Sequence, residues 1–211
     1  MASKKRDSIL SLEDQFCFYA SYHSNAVNRA IHLLCIWPIL WTSLALFAAL
    51  TPHASAPQAL ADAASPLPAE GLNVHWGFPV LLVYSGIYLA MDPLAGGLGA
   101  TLCVVSYVSS NLWVSSSASP AKVAGAANLF CWMAQFYGHG VHEGRAPALL
   151  DNLFQAFIAA PLFVLCELLF SMGYKADMHD RVQARAKENI RVFREERDAR
   201  AAAAAGRKKA A

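Results

Sequence analysis

The sequence AIHLLCIWPILWTSLALFAAL occupies residues 30–50 and contains no Asp, Glu, Lys or Arg. A helix needs about 20 mostly apolar residues to cross the hydrocarbon core of a bilayer. This stretch is long enough, so it predicts a transmembrane helix. Four further stretches of similar length and character follow it along the chain, at about residues 74–91, 94–114, 121–139 and 153–172.

The composition of the whole chain supports the same interpretation. Hydrophobic residues make up 56% of the 211 residues and charged residues only 15%, against about 25% charged residues in an average soluble domain. Too little polar surface remains to cover a soluble bundle of buried helices. The sequence therefore predicts an all-α, polytopic membrane helix bundle with four to five apolar helices. Residues 1–175 are expected to form this transmembrane domain, and residues 176–211 a charged, helical cytoplasmic tail.

The basic residues lie at the two ends of the chain, in Lys4-Lys5-Arg6 and in the tail after Lys175. Lys and Arg favour the cytoplasmic side, so both termini are predicted to be cytoplasmic and the loop at 51–73, which has neither, should face away. Two cytoplasmic ends require an even number of crossings, and segment 153–172 is predicted as the one that does not cross. No basic stripe runs along a folded core, so nucleic acid is not an expected partner.

The connections between the apolar segments contain recognisable signals. Met91-Asp92-Pro93 predicts a tight turn, because proline disfavours a helical conformation in the residue before it. Residues 115–120 (SSSASP) predict a loop. Pro147 should end the preceding helix, and Asp151 or Asn152 could cap the next one. The five cysteines are widely scattered and contain no CxxC motif, so no disulfide framework is expected.

The first of two histidine-containing patches runs from Phe18 to His32. His23 and His32 are nine residues apart, which is about 900° of rotation, so they would face opposite sides of a straight helix. Both could bind one metal only if the chain bends between them. Asn25 is a plausible bend or helix cap.

The second patch, from Gln135 to Pro147, contains His139, His142 and Glu143. His139 and Glu143 are four residues apart and would share a helix face, so imidazole and carboxylate could chelate one ion. Non-haem Fe(II) oxygenases use such ligands, and Zn²⁺ accepts them too. The histidines could equally be polar contacts between helices or members of a proton path.

The other polar residues of the apolar region have less specific interpretations. Arg29 and Arg145 each follow a histidine patch and could bind a carboxylate head group, or simply be positive charges on the cytoplasmic side. Glu167 is expected to bond to a neighbouring helix. His53 and His179 are predicted at the surface, and His75 as an anchor at the membrane interface.

Two stretches resemble a known family. YHSNAVNRAIH (residues 22–32), followed by Trp37-Pro38, and QFYGHGVHEGRAPALLDNLFQAFIAAPLFVLCELLF (residues 135–170) are similar to the iron-dependent 2-hydroxy fatty acid dioxygenases of the endoplasmic reticulum. The resemblance extends from about Phe16 to Tyr174. It implies α-oxidation: with Fe²⁺ and O₂, a long-chain 2-hydroxy fatty acid loses its carboxyl carbon, in the breakdown of phytosphingosine-derived lipids.

The resemblance also implies a site. It assigns the metal to His23, His32, His139 and Glu143. Arg145, whose backbone is fixed by the neighbouring glycine and proline, is the expected substrate-binding residue on the ground of its position after the second patch. His142 stands where the family is expected to have an aromatic residue, so it could be an additional ligand or a substitution. The alternative function is a non-catalytic membrane scaffold or lipid-binding protein with structural histidines.

The end of the chain bears on location. Lys208-Lys209-Ala210-Ala211 resembles the dilysine retrieval signal of endoplasmic reticulum membrane proteins. A multi-pass protein of that membrane is therefore expected, with the lipid bilayer, O₂ and a long-chain 2-hydroxy fatty acid as partners.

Overall fold

The computed structural model describes residues 9–51, 54, 58, 62, 69–147 and 152–210, with the side chains of 206–210 excepted. The described residues form helices, and no strand occurs among them, so the all-α prediction is confirmed. The α-helices are α1 Leu12–Tyr22, α2 Ala26–Leu50, α3 Gly77–Met91, α4 Pro93–Ser116, α5 Pro120–Tyr137, α6 Ala160–Ser171 and α7 Ala176–Ala210. Two π-helical segments, Gly138–Glu143 and Phe154–Ala159, follow α5 and precede α6.

All five predicted apolar segments are helices, and three of them are long and apolar enough to cross a membrane. These three are Ala26–Leu50, Pro93–Ser116 and Phe154–Ser171, whereas α3 is apolar but has only 15 residues. The basic residues at both ends of the chain led to the prediction that segment 153–172 does not cross the membrane. Its length and its mean hydropathy of 1.9 argue the opposite, since they place it among the three.

Side-chain caps set the helix boundaries as the sequence predicts. The Asn25 side chain accepts hydrogen bonds from the backbone N–H groups of Val27 and Asn28, which begins α2. Asp92 caps α4 in the same way and also accepts hydrogen bonds from Tyr174 and Lys175. The predicted turn at Met91-Asp92-Pro93 is therefore confirmed. It also ties the start of α4 to the residues that precede α7.

Aromatic packing fixes α1 against α6. The ring of Phe16, only 1% exposed, meets the rings of Phe163 and Phe170 edge-on at centroid distances of 5.6 and 4.9 Å. Burying each such ring stabilises the fold by about 1.5–3 kcal/mol. This packing holds α1, and with it the chain that leads to His23, against α6.

The charged helix α7 lies against α1. Arg181 pairs with Glu13 at 2.7 Å and Arg185 with Asp14 at 2.9 Å, while Val182 of α7 is fully buried. The predicted charged C-terminal helix is thus present, and the division into residues 1–175 and 176–211 stays a prediction. Other predictions lie outside the described residues: those for Lys4-Lys5-Arg6, His53, Asp151 and the side chains of Lys208 and Lys209.

Candidate metal centre

Three histidines from separate parts of the chain meet at one point. His23 follows α1, His32 lies in the second turn of α2, and His139 lies in the π-helical segment after α5. Their ring centroids are 4.3 to 4.9 Å apart, and one ring nitrogen from each lies within 4.8 Å of the others. All three side chains are buried, with 8% exposure or less. This is the geometry of a site that could hold one metal ion.

A bend between His23 and His32 makes the convergence possible. Helix α1 ends at Tyr22, His23 leaves the helical conformation with φ −130° and ψ 59°, and Asn25 is extended before α2 starts. The helical path is therefore interrupted at residues 23–25. This is the bend that the spacing of the two histidines requires, and Asn25 caps the helix after it.

Backbone carbonyls fix the orientation of two of the rings. Nδ1 of His23 lies 2.7 Å from the carbonyl oxygen of Tyr19, and Nδ1 of His32 lies 2.8 Å from that of Asn28. Because a carbonyl can only accept, each Nδ1 carries the proton and each Nε2 offers a lone pair. Such outer contacts are typical of histidines that ligate a metal.

The remaining ring nitrogens provide a test of whether a metal fits. Nε2 of His23 and Nδ1 of His139 are buried and have no hydrogen-bond partner among the described residues. Burial, together with the neighbouring His32 and His139, holds the pKa of His23 well below its usual range, so this ring is neutral. Unpaired buried nitrogens cost about 1–3 kcal/mol each. A divalent cation bound by neutral imidazoles would remove that cost, so the donor set fits one.

The π-helical segment brings His139 to the other two rings. Glycine is needed at Gly138, because a Cβ atom there would lie 2.5 Å from Oδ1 of Asn28 in α2. The segment ends at Gly144, whose φ of +64° suits glycine. Single π turns inside helices are frequent at functional sites, and this one displaces His139 from the regular α-helical path.

Glu143 faces the start of α2 and is not part of the three-histidine group. One carboxylate oxygen accepts hydrogen bonds from the backbone N–H and hydroxyl of Ser24, and the other from the backbone N–H of Asn25 and the side chain of Asn28. Burial raises the pKa of Glu143, but these hydrogen bonds outweigh it and the net pKa is lowered. The carboxylate thus joins the π segment to α2, and its assignment as a fourth ligand stays a prediction.

His142 and Arg145, the two other residues that the sequence analysis singled out in the second patch, do not line the cavity beside the three histidines. His142 is half-buried, lies outside the three-histidine group and contacts the ring of Tyr137. The Arg145 guanidinium lies between the rings of Tyr22 and Phe193, 3.4 and 4.1 Å from their centroids. Arg145 therefore connects the π segment to α7, and its role in substrate binding stays a prediction.

A cavity of about 50 Å³ lies beside the three histidines. Gln135 lines it, is 4% exposed, and has no hydrogen-bond partner among the described residues for either end of its amide. Sequence reasoning missed this residue, although Gln135 precedes His139 by four positions and such residues share a helix face. Gln155, on the same cavity, instead donates a hydrogen bond to the side chain of Gln15.

Polar residues outside the cavity form other contacts. Glu167 of α6 pairs with Arg29 of α2 at 3.3 Å, which confirms the expected bond to a neighbouring helix. His75 is buried and bonded to Asn111, rather than anchored at an interface. His179 is half-buried and stacks on Phe170.

Comparison with known proteins gives two matches of consequence. A family model described as "2-hydroxy-palmitic acid dioxygenase Mpo1-like" matches residues 9–172. The 2-hydroxy-palmitic acid dioxygenase MPO1 of Saccharomyces cerevisiae is 29% identical over 195 residues, which cover 90% of this chain and 99% of the yeast protein. No solved structure matches the chain.

Proposed function

The chain belongs to the Mpo1-like 2-hydroxy-palmitic acid dioxygenase family, and on that premise we propose that it is a metal-dependent membrane dioxygenase. Its substrate in this proposal is a long-chain 2-hydroxy fatty acid, which it shortens by one carbon. The observation that carries the proposal is the meeting of three buried histidines that retain unpartnered ring nitrogens. The endoplasmic reticulum membrane and the breakdown of phytosphingosine-derived lipids rest on the family resemblance alone.

Iron is the metal that we propose. Imidazole ligands suit several metals, and three histidines also hold catalytic zinc. Zinc has no redox chemistry, whereas a dioxygenase must transfer electrons to O₂, and this requirement favours Fe²⁺. His23, His32 and His139 would hold the ion. When bound, it would supply the oxygen chemistry, with open positions for the substrate's carboxylate and hydroxyl.

The protein's own residues position the ligands and keep water away. The backbone carbonyls of Tyr19 and Asn28 hold two rings in the required tautomer. Glu143 holds the π segment, and with it His139, against the start of α2. Apart from Gln135 and Gln155, the side chains that line the rest of the cavity, such as Ile36 and Trp132, are mostly apolar and keep water away. These contacts preorganise the site before substrate arrives.

Gln135 is the residue that we assign to the substrate's head group. Its amide N–H could donate to the carboxylate, and its carbonyl could accept from the 2-hydroxyl. Both ends of the amide are free to do so among the described residues, and the side chain borders the same cavity as the three histidines. A fatty acid without the hydroxyl would leave the carbonyl unpaired, which would help the site select 2-hydroxy acids.

The alternative is a scaffold whose histidines only join helices. It explains the unpartnered ring nitrogens of His23 and His139 less well. Histidines that join helices use their ring nitrogens in hydrogen bonds to other protein groups. His23 and His139 each keep one buried nitrogen without such a partner among the described residues.

The proposed reaction balances with one O₂ for each substrate molecule, giving the shorter acid, carbon dioxide and water. The test is to purify the protein anaerobically, load it in turn with Fe²⁺ or Zn²⁺, and add 2-hydroxypalmitic acid and O₂. We expect metal binding in both cases, with O₂ uptake and the shorter acid only for iron. The products are identified by mass spectrometry.

Two outcomes would overturn the proposal. One is a folded protein that retains no metal after reconstitution. The other is an iron-loaded protein that leaves the 2-hydroxy acid unchanged.

A further inference from the structure

A second cavity, of about 300 Å³, adjoins the histidine cavity. The two share four lining residues: Ile36, Trp132, Ala156 and Ala160. The two cavities therefore meet at these four apolar residues, which border both of them. We call the larger cavity the α2 groove, because α2 supplies much of its lining.

The α2 groove leads away from the metal site along α2. Its α2 residues include Ile36, Leu40, Ser43 and Phe47, which follow His32 on successive turns of one helix face. From His32 to Phe47 the helix rises by about 22 Å. One leaflet of a bilayer's hydrocarbon core is about 15 Å thick. The histidine cavity and the α2 groove together are thus long enough for a fatty acyl chain of the length that membrane lipids carry.

The two hydroxyl groups on the α2 groove are already hydrogen-bonded to protein groups. The hydroxyl of Ser43 accepts a hydrogen bond from Asn128. The hydroxyl of Tyr84 donates to the backbone carbonyl of Phe157 at 2.7 Å. The groove therefore offers an occupant an almost entirely apolar surface.

From this continuity we infer that the α2 groove binds the alkyl chain of the substrate and limits its length. The inference rests on the proposed function, which places the head group at His23, His32 and His139. The carboxyl end would lie at the metal, at the N-terminal end of α2. The methyl end would lie near Phe47 and Val80, where α3 begins beside Leu44. Since α2 is one of the helices able to cross a membrane, the chain would stay at the depth of the bilayer.

Two substitutions at the far end of the groove should change the preferred chain length in opposite directions. Val80→Phe fills that end, so long acids should bind less well, by roughly fourfold for each methylene group excluded. Phe47→Ala lengthens the groove, so the optimum should move to longer acids. Control variants change exposed residues of the same type outside the groove: Val83→Phe on α3, 48% exposed, and Phe130→Ala on α5, 70% exposed.

The measurement uses saturated 2-hydroxy acids that differ by two carbons, with the iron-loaded protein in lipid nanodiscs. Anaerobic binding of each acid is measured by thermal stabilisation, and kcat/KM is measured in air. We expect the binding and turnover profiles to shift together in the two groove variants and to remain in place in the two controls. If one groove variant fails to fold, the other still tests the inference, because the expected change in preferred chain length has a definite direction for each variant.

An unchanged chain-length profile in folded Val80→Phe and Phe47→Ala protein would overturn the inference. A second result would also overturn it. In that result, a phospholipid copurifies with the wild type and is lost from Val80→Phe protein, while the preference among 2-hydroxy acids of different length does not change. The groove would then hold a structural lipid. Failure of the proposed function would look different. Turnover would be absent from every variant, while the anaerobic binding profile would still report on the groove.

Discussion

Two buried pairs of histidine and amide side chains show how a structural site differs from the candidate metal site. His75 and Asn111 form the first pair, and His139 and Gln135 line the cavity of the second. All four side chains are at most 4% exposed. The pairs differ in whether their polar atoms are satisfied.

The polar atoms of the first pair bond to protein groups. Nε2 of His75 donates to Oδ1 of Asn111, and Nδ1 accepts from the backbone N–H of Gly77. The Asn111 amide donates to the backbone carbonyls of Gly71 and Asn73. His75 therefore has no lone pair left for a metal, and the network holds the residues before α3 against α4.

The second pair keeps its polar atoms free. Nδ1 of His139 and both ends of the Gln135 amide have no hydrogen-bond partner within the described part of the chain. Native proteins satisfy nearly all buried polar groups, so several unsatisfied ones around one cavity point to a missing ligand. Burial alone would not separate the two histidines, whereas the state of their ring nitrogens does.

The largest effect is expected from removing a ligand at the second pair. His139→Ala should lose bound iron and lower turnover by at least about 100-fold, since even outer-shell changes at metal sites cost about 10–100-fold. Metal analysis and product formation are measured on the same purified sample. The matched control is His142→Ala, three residues away and outside the three-histidine group, which should keep both iron and activity. Full turnover by folded His139→Ala protein would remove His139 from the site.

A smaller effect is expected where Glu143 supports the ligands. Glu143→Ala should weaken iron binding by about 10–100-fold without abolishing it, because the π segment loses its hydrogen bonds to the start of α2. The dissociation constant is measured by competition with a chelator. Glu195→Ala, at an exposed ion pair on α7, serves as the control. If Glu143→Ala loses iron as completely as His139→Ala, the carboxylate is a ligand, as the family resemblance implies.

Gln135 is expected to affect substrate rather than metal. Gln135→Leu keeps the volume but removes both hydrogen-bonding ends, so KM for the 2-hydroxy acid should rise by about tenfold, the value of one hydrogen bond to a charged group. Iron content should not change. Inhibition by the fatty acid that lacks the hydroxyl should weaken less than binding of the 2-hydroxy acid. A normal KM would show that the amide does not touch the head group.

The smallest effect on activity is expected at the first pair. His75→Ala leaves Oδ1 of Asn111 without its donor, so the free energy of unfolding should fall by about 1–3 kcal/mol. Iron content and turnover per folded molecule should match the wild type. Denaturant unfolding in detergent, together with metal analysis, measures both. Loss of iron from folded His75→Ala protein would contradict the division between the two pairs.

Parts of the candidate site could be predicted from the sequence for definite physical reasons. The angular spacing of His23 and His32 required a bend, and Asn25 supplied the residue type that caps a helix after one. Gln135 was not found, because a glutamine in an apolar helix gives no sign of whether its amide will meet a partner. For Glu143, four-residue spacing predicted a shared face with His139, but Ser24, Asn25 and Asn28 supplied four hydrogen-bond donors that the spacing could not reveal.

The sequence by itself determined the helical class, the apolar segments and most of their boundaries. These follow from local properties: runs of apolar side chains, proline turns at positions such as Pro93, and capping residues such as Asn25. Only the tertiary structure decided which polar groups are satisfied. Which polar groups meet in the interior depends on residues that are far apart in the chain, as the contact between the rings of His23 and His139 shows. Only those long-range contacts distinguish the candidate metal centre from a structural histidine such as His75.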